Sequence, residues 1–90
     1  MVVYLLNLYP GTVTITVTDQ TNGNSQTYTL SQYQYVDISS MITSPSDHIF
    51  VQVGTNITGL FPASSGVETI YFTENGMFWS AYSSPDQILK

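Results

Sequence analysis

The chain has 90 residues, of which only 8% are charged, against about a quarter in an ordinary soluble protein. Six of those charges are acidic and Lys90 is the sole cation, so the net charge is −5. Such a chain cannot neutralise phosphates, which excludes nucleic-acid partners, and it has no basic face to hold an anionic membrane surface.

This length accommodates one domain, spanning residues 1–90. With no cysteine, neither a disulfide framework nor a thiolate metal site is available. The stretch from Met1 to Pro10 is apolar but has no positive n-region, and Asn7 and Pro10-Gly11 interrupt it. It reads as neither a membrane-inserting span nor a secretory signal peptide.

Turn-forming clusters recur at short intervals, and the runs between them are rich in Val, Ile, Thr, Tyr and Phe. That is the pattern of many short strands. The first covers Val2–Tyr9, with Val2, Tyr4, Leu6 and Leu8 on one face and Val3, Leu5 and Tyr9 on the other. A strand apolar on both faces is either central beneath two layers or covered by a partner. Val3, Leu5 and Tyr9 are therefore expected at an interface.

Next comes a hairpin centred on Asn22-Gly23, a dipeptide suited to a two-residue type I′ turn. Pairing Thr21 with Asn24 places Val17 opposite Tyr28 and Ile15 opposite Leu30 on an apolar face. The other face then pairs Thr18 with Thr27, Thr16 with Thr29 and Thr14 with Ser31. Thr12, Thr14, Thr16, Thr18, Thr27 and Thr29 so form a hydroxyl-methyl ladder, the surface chemistry that ice-binding proteins present. The commoner explanation is that threonine favours the solvent face of strands. In the turn, Asp19, Asn22 and Asn24 supply oxygen ligands, but with one charge and out of the order of a calcium loop. No cofactor is expected, calcium being the one worth testing.

A further strand runs over Tyr33–Ile38. Tyr33 and Tyr35 sit among Ser, Gln and Thr, a composition that stacks on sugar rings and bonds their hydroxyls, so they are glycan-stacking candidates. A single helical turn is expected near Ile38–Ile42, then strands at His48–Val53 and over Thr55–Thr58. His48, the only histidine, has Asp47 beside it, but adjacent strand residues point to opposite faces and no G-x-S-x-G pattern exists. Glu68 and Glu74 stand about 20 Å apart on an extended strand, too far for paired-carboxylate hydrolysis of glycosides. No catalytic residues are assigned and no enzyme is expected. Asn56-Ile57-Thr58 matches a glycosylation acceptor, a tripeptide common by chance.

The second hairpin centres on Asn75-Gly76. Pairing Glu74 with Met77 puts Phe72 opposite Trp79 and Ile70 opposite Ala81 as a core face. The other face pairs Thr73 with Phe78, Tyr71 with Ser80 and Thr69 with Tyr82. It is not polar, because it carries Tyr71, Phe78 and Tyr82. At the end of the chain, Ser84-Pro85-Asp86-Gln87 reads as an N-cap, a proline at the first helical position and the glutamine of a capping box.

The expected fold is an all-β, small antiparallel β-sandwich, Ig-like or jelly-roll-like, with about seven strands, two Asn-Gly hairpins and a short C-terminal helical turn; a small β-barrel is the alternative. Aromatics make up 13% of the chain, more than one small core needs. Almost no charge is available to keep strand edges apart, although Pro10, Pro45 and Pro62 blunt some ends. The chain therefore reads as a non-enzymatic subunit of a larger particle or filament, of viral decoration, tail or surface-layer type. Its partner would be itself, as a homo-oligomer, or another coat protein, met through Tyr71, Phe78, Tyr82, Tyr33 and Tyr35. An extracellular or virion setting suits a chain with no internal lysine or arginine for trypsin-like proteases. The alternative is an extracellular glycan-binding or adhesion module.

Overall fold

Alternation of apolar and polar residues produces eight strands among the described residues, which in this computed structural model are 2–44, 46–54, 57–63, 66–81 and 83–90. They are β1 (Val2–Asn7), β2 (Val13–Asp19), β3 (Ser25–Leu30), β4 (Tyr35–Asp37), β5 (His48–Val53), β6 (Ile57–Pro62), β7 (Val67–Thr73) and β8 (Gly76–Ala81). A 3-10 turn covers Ser39–Met41, and one short helix, α1, covers Pro85–Leu89. The chain is thus all-β, as expected from its composition.

Two four-stranded sheets form, in the orders β4-β1-β7-β8 and β3-β2-β5-β6. Their inward residues meet in one apolar cluster that includes Val3, Leu5, Ile70 and Phe72 of the first sheet and Ile15, Val17, Ile49 and Val51 of the second. β1 is a central strand, between β4 and β7, and it carries buried apolar residues on both of its faces. Val3 and Leu5 are fully buried in the shared core, which corrects their assignment to an interface. Leu6, on the opposite face, is fully buried too.

The all-antiparallel expectation also needs correction, because β1 and β7 pair in parallel from Val2↔Val67 to Asn7↔Phe72. The chain visits the other sheet between these two strands, so no hairpin forces them to oppose each other.

Both hairpins form, each two residues out of the expected register. In the first, Ile15 faces Tyr28, Thr16 faces Thr27 and Thr18 faces Ser25. Its loop has four residues, because the Asp19 amide donates to the Asn24 carbonyl and the Gly23 amide to the Asp19 carbonyl. Asp19 Oδ1 accepts from the Thr21 amide at 2.8 Å, and this side-chain turn takes the place of the two-residue one. In the second hairpin, Thr73 faces Gly76, Tyr71 faces Phe78 and Ile70 faces Trp79. Here the Thr73 hydroxyl accepts from the Asn75 amide at 3.0 Å, so the turn falls on Glu74-Asn75 and Gly76 opens β8 at φ +132°. A slip of two preserves which residues share a face.

The C-terminal capping box is present: Ser84 Oγ accepts from the Gln87 amide, and Gln87 Oε1 accepts from the Ser84 amide. The Thr69 hydroxyl donates to the Ser83 carbonyl at 2.7 Å, which anchors this segment to β7.

Candidate functional site

Sheet order leaves four edge strands. β3 and β4 are linked by a tight turn and stand on one side of the molecule; β6 and β8 are in contact on the other. These two sides hold Tyr33, Tyr35, Phe78, Trp79 and Leu60, whereas Tyr9, 36% exposed, stands apart in the β1–β2 loop and stacks on Phe72 with centroids 6.3 Å apart.

On the β3/β4 side, Tyr28, Thr29, Leu30, Tyr33, Gln34, Tyr35 and Val36 line an open cleft of about 550 Å³. Tyr33 is 59% exposed and Tyr35 44%. Tyr33 has φ +68°, the only non-glycine residue in the left-handed region among those described. A side chain there costs of order 1–3 kcal/mol and persists only where its surroundings over-determine it.

Asn7 supplies that determination. It is fully buried at the end of β1, where its carbonyl accepts from the Tyr33 amide at 2.7 Å and its amide donates to the Gln34 carbonyl at 3.0 Å. Its side chain gives two more bonds, from Nδ2 to the carbonyls of Leu30 (3.0 Å) and Gly11 (3.1 Å), while Oδ1 accepts from the Tyr9 amide at 2.7 Å. One asparagine thus ties β1, the β1–β2 loop and the β3–β4 turn together. Gln34 Oε1 accepts from the Ser31 amide and closes the turn from within.

Two of the cleft's tyrosines are braced, Tyr35 and Tyr28. Tyr35 packs edge-on against Tyr4, with centroids 5.8 Å apart at 89°. The Tyr28 hydroxyl donates towards Gln26 Oε1 at 3.2 Å and lies 3.5 Å from Met41 Sδ. Burial, and secondarily the charge of Asp37, raise the Tyr28 pKa above its ordinary value, so the phenol stays a neutral donor.

On the β6/β8 side, Leu60 is 57% exposed, Phe78 43% and Trp79 42%. Trp79 lies on the core-facing side of β8, opposite the buried Ile70, and is exposed because β8 is an edge. Gly59 makes the junction between β6 and β8 tight: a Cβ there would come 2.6 Å from the Phe61 ring and 3.1 Å from Met77 Sδ. Tyr71 is half-buried against Phe78. Tyr82, expected on the same face, lies outside the described residues, as do Pro45 and Asn56.

The threonine ladder lies on the outer face of the second sheet and bonds to itself. Thr12 pairs with Ser31 at 3.1 Å, Thr16 with Thr27 at 3.4 Å and Thr18 with Ser25 at 2.7 Å; Thr14 faces Thr29. The calcium candidates Asp19, Asn22 and Asn24 are drawn into one loop, where Asn22 Nδ2 donates to Asp19 Oδ2 and Asn22 Oδ1 accepts from the Asn24 amide. Among the described residues no group of three or more His, Cys, Asp or Glu side chains is placed to hold a metal ion.

Asp47 does not orient His48. Its carboxylate accepts from the amide and the hydroxyl of Thr43, both at 2.9 Å, while His48 is exposed. The Thr43 amide, opposed by burial and helped by Thr21, Thr43 and Asp19 side chains, holds the Asp47 pKa down to about 2. Glu68 is buried on the core side and Glu74 is exposed in the β7–β8 turn, so these two carboxyls do not share a site.

Asn7, Tyr28, Leu60 and Trp79 escaped sequence reasoning. Asn7 carried a signal, as a polar residue in an apolar strand just before Pro10-Gly11. The other three depend on which strands become edges, and that is a property of topology. No protein-family model, no curated protein and no solved structure matches this chain.

Proposed function

We propose that the protein is a non-enzymatic subunit of a larger particle or filament, joined to further copies through the β6/β8 side. The observation that carries this reading is β8 itself: an edge strand of sequence Gly-Met-Phe-Trp-Ser-Ala, without a charge, presenting two large rings more than 40% exposed. Monomeric proteins guard such edges with lysine, inward charges or proline. β3 and β6 are uncharged as well, and β4 carries only Asp37, so protection is weak around both sheets. Pro62 blunts only the end of β6.

Pairing β8 with a second copy would satisfy its outward amides and carbonyls and remove apolar ring surface from water, at roughly 25 cal/mol per Å². A decoration, tail-type or surface-layer role suits the near absence of lysine and arginine. The test is particle mass by light scattering at micromolar protein. Wild type should exceed the monomer mass, and Phe78→Ser should lower it towards one chain. A wild type that stays monomeric overturns the reading.

A further inference from the structure

We propose that the Tyr28–Tyr33–Tyr35 cleft is a binding site for an uncharged saccharide. The inference is independent of the assembly reading, because β3/β4 and β6/β8 lie on opposite sides of the fold.

Three observations converge on it. The first is preorganisation: Tyr33 is held at φ +68° by backbone bonds to the buried Asn7, and this conformation keeps its ring 59% exposed. Backbone strain maintained by such a network, with its side chain presented to solvent, points to a role for that side chain. The second is rigidity, since Tyr35 is braced edge-on by Tyr4 while remaining 44% exposed. Rings fixed before binding lose little freedom when a ligand stacks on them.

The third is the chemistry of the remaining lining. Gln34, its Oε1 already taken by the Ser31 amide, has its NH2 group left as a donor, and the tyrosines add phenolic hydroxyls. Ring faces beside amide and hydroxyl groups match a pyranose, which has an apolar CH face and a hydroxyl-bearing edge. None of the lining residues is charged, and the nearby charge is that of Asp37, which disfavours an anionic sugar. The cleft of about 550 Å³ falls within the usual range of ligand sites.

Isothermal titration calorimetry of the full chain tests the proposal, with cellohexaose, mannohexaose, maltohexaose, chitohexaose and decaproline as probes. At least one hexasaccharide should bind. Tyr33→Gly should weaken that binding by roughly tenfold or more, because glycine keeps the left-handed turn and removes only the ring. Its melting temperature should be unchanged or higher, which separates loss of the site from loss of the fold. Tyr35→Ala should weaken binding similarly, and Tyr33→Phe should retain most of it. Absence of heat with all four sugars, binding of decaproline alone, or wild-type affinity in Tyr33→Gly each overturns the proposal.

Discussion

Tyr71 and Phe78 stand directly opposite each other on β7 and β8, their ring centroids 5.7 Å apart and their planes tilted by 30°. The pair makes a continuous aromatic surface that runs from a half-buried ring to one 43% exposed at the sheet edge. Because Phe78 keeps much of its surface in water, its contribution to the isolated fold is limited. Phe78→Ala should lower unfolding free energy by about 0.5–1.5 kcal/mol in urea titrations under dissociating conditions. A much larger loss would assign Phe78 to the core, and would mean that any drop in particle mass on its replacement reflects unfolding.

Asn7 should behave differently. Its side chain makes three hydrogen bonds at a fully buried position, and alanine would leave the Leu30 carbonyl and the Tyr9 amide without these partners. Asn7→Ala should cost about 2–4 kcal/mol by chemical denaturation. Asn7→Asp keeps the acceptor for Tyr9 but loses both donated bonds, and should be comparably damaging. Stability within a few tenths of a kcal/mol of wild type would show that the β3–β4 turn holds without this residue.

Gly59 tests the joint between β6 and β8. A methyl group there meets the Phe61 ring at 2.6–2.7 Å, so Phe61 (6% exposed) or Met77 must shift. Gly59→Ala should destabilise by about 1–3 kcal/mol, read as a lower melting temperature. The companion change Gly59→Ala with Phe61→Leu should recover part of that loss by vacating the contact.

Acid sensitivity follows from Asp47. Its pKa is lowered from 3.8 when unfolded to about 2 in the fold, first by the Thr43 amide. A depressed carboxylate stabilises the fold at pH values above its unfolded pKa, and that contribution is lost as pH falls through the folded one. The urea midpoint should therefore decline as pH drops from about 4 to about 2, and the decline should be shallower in Asp47→Asn. An Asp47→Asn variant with an acid limb as steep as wild type would place the sensitivity elsewhere.

Much of this architecture was written in local patterns. Alternation located the strands, and Ser84 with Gln87 announced the capping box that closes α1. Face assignments survived even where registers did not: Ile15 and Val17 are buried and Thr14 is exposed although each faces a partner two residues from the expected one. The slips arose because Asp19 and Thr73 bond to turn amides with their side chains, which widens the first loop to the four residues ending in Asn22-Gly23 and shifts the second turn to Glu74-Asn75. Nothing local encodes that β1 lies parallel to β7, and so nothing local revealed that Val3 and Leu5 are interior while Trp79 faces solvent. Tyr33 and Tyr35 were legible as surface tyrosines. The left-handed turn that presents Tyr33 was not, because it depends on bonds from a strand distant in sequence.

The most direct test of edge-to-edge assembly is amide hydrogen exchange along β8, measured in dilute and in concentrated solution. If copies add to this edge, the β8 amides that point away from β7 gain protection as concentration rises, while those of β1, already central, do not change. Equal and fast exchange of the outward amides at both concentrations would contradict the account, because the strand would then remain open to water however crowded its neighbours.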